Sequence, residues 1–599
     1  MRRKLVMKTT ATKTSFSLKE QWQIFKMLIA FTKGYRGQFL MSFIAMAGVS
    51  GIAAYLPVVI QQYMDNYLRM GNATLMITIR MSLFYLVLTI LKSIFEYVQN
   101  YLFQMASERT VGDIRDTLFD HVIKLGMRYF DQVPNGTVVS RVTNDTETII
   151  EFWNVFLNLF NGLFNVIAVG IAMFTLDWEL ALMFTAFLPI ILLLVYIYQR
   201  YSTRIYSQMR ESLSRLNARL SESISGINII QAFAQEKRMM AEFDTVNQEY
   251  VVARKAMFKM DALLLMPAIN LIEASALALV LFVLGRQQII DASVEIGVIY
   301  AFTSYSKSFF HPLGQMIDSL SIFQDGIVSG SRIKEVLNYQ EMAPTSLPGA
   351  SAHITDGEIS VRDLSFSYDG EKSVLKNINF DVKPGQTLAL VGQTGSGKSS
   401  IINVLMRFYE FSHGKVMIDG HDIKEIPIEE LRAKMGLVLQ DSFMFYGDIA
   451  NNITLHKDYN DEYIQAAAQF VKADDFIRAI DGNYHARVIE GGDAFSTGQN
   501  QLISFARTII REPKILILDE ATANIDTATE QKIQSGLDNM RRGRTTIIIA
   551  HRLSTIKDAD KILVLRHGEI IESGTHDELI AAGGTYHDMY QLQTYQKDE

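Results

Sequence analysis

A chain of 599 residues with a net charge of −7 has room for several domains and no global basic surface for nucleic acid. It contains no cysteine, which excludes disulfides and thiolate metal sites. The averages of 49 % hydrophobic and 20 % charged residues blend two unlike halves, an apolar first half and a second half that reads as a soluble α/β domain.

Residues 1–36 are basic and amphipathic (Arg2, Arg3, Lys4, Lys8, Lys13, Lys19, Lys26, Lys33), without the short apolar core and small-residue cleavage site of a signal peptide. Ser17 followed by Glu20 is a capping box, predicting a cytoplasmic elbow helix lying at the membrane interface. A transmembrane domain over 37–330 follows, with six apolar segments near 37–64, 81–103, 152–176, 180–199, 262–285 and 296–316. The first, third and fourth carry no charge, and each is long enough for a hydrocarbon core that needs roughly 20 residues.

Short linkers join the spans in pairs, but roughly fifty polar, helix-compatible residues separate the second from the third and the fourth from the fifth, too long for bare loops. Each is expected to be two helices that extend beyond the bilayer and turn back at a short cross-helix. The basic N-terminus starts the chain inside, so these extensions also lie in the cytoplasm. Ionisable residues within spans are costly and are functional candidates. Glu273 lies mid-span, facing either a polar cavity or a structural hydrogen bond, and Lys92 and Glu96, one turn apart, are expected to neutralise each other. Phe302, Tyr305 and Phe309 are candidates for an adaptable wall around apolar ligands, the alternative being that they only pack helices or face lipid.

A linker over 331–356, with a Pro-containing stretch at 342–352, leads to a domain over 357–599. There the apolar strand 388–391 runs into Gly392-Gln393-Thr394-Gly395-Ser396-Gly397-Lys398-Ser399, followed by Ser400. This is a P-loop in its strand–loop–helix setting. The glycines let backbone N–H groups wrap phosphates, Lys398 reaches the β- and γ-phosphates, and Ser399 is placed for Mg²⁺. A second apolar strand ends in Asp519-Glu520, suited to holding Mg²⁺ through water and to polarising the attacking water. A third, 546–550, carries His551 at its tip, placed to contact the γ-phosphate.

With these residues in this order, the chain resembles an ATP-binding cassette (ABC) exporter half-transporter over nearly its whole length. The resemblance implies a six-helix all-α membrane domain followed by an α/β nucleotide-binding domain, with ATP and Mg²⁺ as cofactors. It also implies that Tyr368 stacks on adenine, that Gln440 senses Mg²⁺ and touches the membrane domain, and that Asp526 closes the D-loop. Phe130-Asp131…Gly136…Ser140-Arg141…Asn144-Asp145 and Glu222…Gly226 with Ala232-Phe233 resemble the family's intracellular turns, which dock onto nucleotide-binding domains.

The signature usually written Leu-Ser-Gly-Gly-Gln stands here as Phe495-Ser496-Thr497-Gly498-Gln499. In the family it faces ATP held by a second cassette, so a chain with one cassette must dimerise. Thr497 adds a Cβ where the backbone approaches phosphate and where φ > 0 is a possible requirement. With Lys398, Glu520 and His551 intact, this departure resembles the LmrD- and EfrD-like subunits of bacterial heterodimeric multidrug exporters; neutral drift at Thr497 is the alternative. The expected function is ATP-driven efflux of hydrophobic or amphipathic compounds across a bacterial cytoplasmic membrane, with the nucleotide-binding domain inside. A lipid or peptide exporter, and an ATP-gated channel or sensor, are the competing readings.

Overall fold

The computed structural model describes residues 16–291, 295–440, 442–489, 495–519, 527–550 and 556–595. The chain divides into two compact units, one made of Met1–Ile123 with Asn135–Tyr339 and the other of Lys124–Pro134 with Gln340–Glu599. The short segment Lys124–Pro134 therefore belongs with the C-terminal half, although it sits between two membrane-spanning helices in sequence.

The first unit is helical. Helix α1 (Leu18–Phe31) opens on the expected capping box: the Glu20 N–H donates to Ser17 Oγ at 3.3 Å, and the Ser17 N–H to Glu20 Oε2 at 2.9 Å. It is followed by α2 (Arg36–Tyr63) and α3 (Leu75–Val122), then α4 (Met127–Gln132) of the second unit. Next come α5 (Asn135–Val142), α6 (Asn144–Leu176), α7 (Trp178–Thr185) and α8 (Leu188–Ser225). The unit ends with α9 (Ile227–Ala232), α10 (Glu236–Leu264), α11 (Met266–Asp291) and α12 (Ile296–Leu337).

The 48 residues of α3 extend about 70 Å at 1.5 Å per residue, more than twice a hydrocarbon core. Helices α3, α8 and α10 thus carry the extensions that the sequence called for, and α4 and α9 are the short helices between them. Along α3, Leu83, Leu86, Val87, Ile90 and Ile94 are exposed together, a surface suited to lipid. Five helical stretches among the described residues are long and apolar enough to cross a membrane; α12 is long enough, but Lys307, His311 and Gln315 lower its apolarity. Its helix runs on to Leu337, beyond the point where the linker was expected to begin.

In the second unit, β1 (Ile359–Phe366), β2 (Leu375–Val382), β4 (His413–Ile418) and β5 (His421–Asp422) form an antiparallel sheet ordered β2-β1-β4-β5. A six-stranded sheet holds β3 (Thr387–Val391), β6 (Met435–Val438), β9 (Ile515–Asp519), β10 (Thr545–Ile549), β11 (Lys561–Arg566) and β12 (Glu569–Gly574), ordered β12-β11-β3-β10-β9-β6. Its core strands are parallel and β12 is antiparallel. A short pair, β7 (Gly447–Asp448) with β8 (Arg487–Val488), stands apart.

The near-continuous apolar runs noted in the sequence are buried on both sheet faces. Leu388, Leu390, Ile517 and Ile547 enter one hydrophobic core, while Ala389, Val391, Leu516 and Ile548 enter the other. Alternate side chains of one strand thus serve opposite faces. Around the sheets lie α13 (Lys398–Leu405), α14 (Ile428–Lys434), α15 (Ile449–Thr454), α16 (Asp461–Phe470), α17 (Asp474–Arg478), α18 (Thr497–Ile509), α19 (Thr527–Arg541), α20 (His576–Ala582) and α21 (Thr585–Tyr595).

Candidate nucleotide site

Parallel strands expose their C-terminal ends along one sheet edge, where α/β domains bind ligands. Strands β6, β9, β10 and β3 are consecutive neighbours, with Ile549 paired to both Asp519 and Leu390. Gln440, two residues past β6, Asp519, at the end of β9, and the P-loop after β3 therefore issue from one edge. Glu520, Asp526 and His551 lie outside the described residues.

The loop after β3 takes conformations open only to glycine. Gly392, Gly395 and Gly397 have φ of +149°, +80° and +107°. A Cβ on Gly392 would stand 2.3 Å from the Leu565 carbonyl oxygen, and one on Gly397 would stand 2.8 Å from Leu375. The Gly568 N–H, from the β11–β12 turn, holds the loop by donating to Ser396 O at 3.0 Å. Lys398, buried at the start of α13, turns its Nζ back to donate to Gly392 O at 2.7 Å and to Gln393 O at 3.1 Å. This folds the ammonium back over the loop's own backbone carbonyls. Ser396 Oγ is buried with no partner, and Ser399 is exposed beside it. A glycine nest, a cation and an orphaned hydroxyl at a helix N-terminus fit a phosphate chain.

Ser400 points the other way and is buried. Its Oγ accepts from the Tyr368 hydroxyl at 3.0 Å, and Asn403 Nδ2 donates to the same hydroxyl at 3.0 Å. The Tyr368 ring stands edge-on to Phe366 and to Tyr409. Neither Asn403 nor Tyr409 was singled out in the sequence, because nothing in its pattern brings β1, α13 and the residues after α13 together. Gln440 is exposed.

The signature forms the start of α18. Ser496 is the N-cap: its Oγ accepts from the Gln499 N–H at 3.2 Å, and its own N–H donates to Gln499 Oε1 at 2.9 Å. Gly498 is buried, Phe495 packs against the core, and Thr497 is exposed. Thr497 is the first helical residue and has no positive φ, so the expected backbone strain is absent. An N-terminal position tolerates a β-branched side chain because no preceding turn crowds it.

The structure bears on three membrane-domain expectations. Phe302 and Tyr305 are fully buried and Phe309 nearly so, packed with Phe184 and Phe310 inside the helical core. Of the two readings the sequence left open, their burial fits the packing one. The Tyr305 hydroxyl donates to Ala54 O at 2.6 Å, tying α12 to α2. Glu273 is half-buried on α11 and is not among the residues lining the open cavity of about 630 Å³. That cavity is walled by α2, with Tyr55, Val58, Gln61 and Gln62, and by α6, with Ala168, Ile171 and Thr175. Lys92 is half-buried and Glu96 exposed, and no ion pair joins them among the described residues. Asp65 is buried and accepts from the Gly297 N–H at 2.8 Å, tying the end of α2 to the start of α12.

Residues 39–313 match the family of the ABC transporter transmembrane region, and residues 375–523 match the ABC transporter family. The chain is 45 % identical to the "Putative ABC transporter ATP-binding protein exp8" of Streptococcus pneumoniae, over 96 % of this chain and 98 % of that protein. It is 33 % identical to the multidrug resistance-like ATP-binding protein MdlB of Buchnera aphidicola, over 96 % and 98 %. Identity to the ATP-dependent lipid A-core flippase of Syntrophus aciditrophicus is 29 %, over 96 % of each. A solved structure of a bacterial Atm1-family ABC exporter with ATP bound superposes with a TM-score of 0.74 at 26 % identity, covering 93 % of this chain and 97 % of that one. The apolar helices, the P-loop edge and these likenesses together assign the chain to the ABC transporter family, as a membrane-embedded, ATP-hydrolysing half-transporter of the exporter fold.

Proposed function

We propose that the chain is one subunit of an efflux transporter that moves amphipathic or hydrophobic compounds out of the cytoplasm or inner leaflet by alternating access. The observation that carries this reading is the cavity between α2 and α6, where apolar side chains alternate with Tyr55, Gln61 and Gln62. Such a lining suits ligands that are mostly apolar with a few polar groups. The basic N-terminus supports a cytoplasmic nucleotide-binding domain in a bacterial inner membrane.

In this reading the backbone N–H groups of Gly392, Gly395, Ser396 and Gly397, with Lys398, bind the phosphates of ATP, and Tyr368 supports adenine. Glu520 accepts a proton from the attacking water, while His551 steadies the γ-phosphate. Ser399 and Gln440 would hold Mg²⁺, with Asp519 acting through water, and the ion would neutralise charge on the β- and γ-phosphates. Asp526 orders the loop between the two sites. Ser496, Thr497, Gly498 and Gln499 face the nucleotide of a second half-transporter. The substitution at Thr497 favours an unequal partner, its exposed Cβ crowding that nucleotide, although the backbone itself is unstrained.

Reconstitution into sealed vesicles tests the reading. ATP-dependent accumulation of an amphipathic dye is expected, abolished by Lys398→Ala through lost ATP binding and by Glu520→Gln with binding retained. Passive conductance without accumulation would establish a channel, and lipid translocation without dye transport would establish a flippase. ATPase activity of the lone chain comparable to that of a mixed pair would end the heterodimer reading.

A further inference from the structure

The short helix α4 is fastened to the nucleotide-binding unit by its main chain. Residues 124–126 run antiparallel to 341–343: Leu125 and Met342 form a β-bridge, the Gly126 N–H donates to Glu341 O at 3.0 Å, and the Ala343 N–H donates to Lys124 O at 2.9 Å. A Cβ on Gly126 would come within 3.2 Å of the Met342 carbonyl oxygen, a tight contact that a glycine avoids. Arg128 adds an ion pair to Glu341 at 3.3 Å.

A second attachment reaches further. At the far end of α4, the Asp131 carboxylate accepts a hydrogen bond from the hydroxyl of Tyr409. Tyr409 is almost wholly buried, and its ring meets that of Tyr368 edge-on, with centroids 4.9 Å apart and planes at 88°. Tyr368 is in turn bound to Ser400 and Asn403, on successive turns of the helix that the P-loop opens. Burial first, and then the Asp131 carboxylate, push the Tyr409 phenol well above its ordinary pKa, so it stays a donor at neutral pH.

The geometry points to Tyr409 as a positioning residue that carries the state of the P-loop helix to α4, receiving it through Tyr368 and delivering it through Asp131. The path runs α13, Tyr368, Tyr409, Asp131, each link a hydrogen bond or a ring contact. A phenylalanine at 409 would fill the same space and keep the ring contact. The hydroxyl is what adds the link to a helix whose two ends continue, by the chain itself, into α3 and α5. The inference rests on the P-loop binding ATP.

The absence of cysteine makes the test direct. In full-length chain in lipid nanodiscs, Gln132→Cys, on the exposed end of α4, accepts one environment-sensitive dye. A non-hydrolysable ATP analogue with Mg²⁺ is titrated while calorimetry reads binding and the dye reads α4. Tyr409→Phe is expected to keep the analogue's affinity within about two-fold while cutting the dye response at least about three-fold. Asp131→Ala should do the same from the solvent side, without touching the core, and Asp131→Asn, which keeps an acceptor, should recover most of the response. Combining Tyr409→Phe with Asp131→Ala should be no worse than either alone.

A full dye response in Tyr409→Phe, or losses that add in the double variant, would overturn the relay. So would affinity falling in step with the dye signal, since Tyr409 would then only be supporting the site. If the unsubstituted chain fails to bind the analogue, the nucleotide-site reading fails, and the relay with it.

Discussion

At single positions, backbone geometry separates glycines that are required from those that are incidental. Gly392 has φ +149°, and its would-be Cβ meets a carbonyl that belongs to the β11 strand, which cannot yield without breaking the sheet. Gly392→Ala is expected to cost on the order of 1–3 kcal/mol in the nucleotide-binding unit and to weaken ATP binding at least ten-fold, read by thermal unfolding and calorimetry. Thr497 is the opposite case. Its helical φ means that Thr497→Gly relieves no strain and instead costs about 0.5 kcal/mol of helix propensity at most, while leaving the Ser496–Gln499 cap in place. A change in hydrolysis by that variant would therefore report the methyl and hydroxyl against the partner's nucleotide. The sequence showed that a Cβ had been added at 497, but not that the backbone accommodates it. Its helix start depends on a reciprocal cap that can be verified only in three dimensions.

At the scale of elements, two predictions separate packing from function. Phe302, on α12, is fully buried against Phe184 of α7. Phe302→Ala is expected to destabilise the membrane unit by about 3–5 kcal/mol, seen as a lower unfolding midpoint in detergent, and to leave the relative transport of different dyes unchanged in whatever protein remains folded. The periodicity of α12 placed these aromatic residues on a helix, but which face turned inward was a property of its neighbours.

The second element is the entry to β1. The Asp419 carboxylate accepts four backbone N–H bonds, from Thr355, Asp356 and Gly357 on Oδ2 and from Glu358 on Oδ1, at 2.7–3.1 Å. Burial acts to raise its pKa, but the four donors outweigh it, and the folded value lies below the ordinary carboxylate range. A depressed folded pKa stabilises above the unfolded value, about 3.9, and that contribution is lost as pH falls through the lower folded value. Asp419→Asn should therefore cost about 1–2 kcal/mol at pH 7 in urea unfolding, with the difference from the parent shrinking below about pH 4.

On the scale of the whole molecule, exposed apolar surfaces offer a test of where a second half-transporter would dock. Ile229, next to Ile227 on α9, is 66 % exposed, and Phe233, just past α9, is 71 % exposed. In the second unit Phe443, Phe445 and Tyr446 are exposed together after the Gln440 loop, held from behind by Arg507, which donates to Phe443 O at 2.9 Å and to Asn452 O at 2.7 Å. Water is a poor solvent for either surface, so each would gain from being covered. Ile229→Glu combined with Phe233→Glu should reduce association at least ten-fold by mass photometry in nanodiscs with ATP, while the far-UV circular dichroism of the chain is unchanged.

The sequence by itself determined the two-part architecture, the long helical extensions, the elbow cap and the P-loop. Each of these depends on local composition or on spacing within a few turns. Runs of apolar residues must find lipid or a parallel sheet, and a glycine-rich turn between strand and lysine has few other uses. Only the tertiary structure decided that Gln440, Asp519 and the P-loop share one edge, because strand order is set by crossovers and not by proximity in sequence. It also turned Phe302, Tyr305 and Phe309 into the core, gave the cavity to α2 and α6, and joined Lys124–Pro134 to the nucleotide-binding unit. These are long-range pairings, chosen by which surfaces pack together, and no local pattern along a single helix or strand encodes its partner.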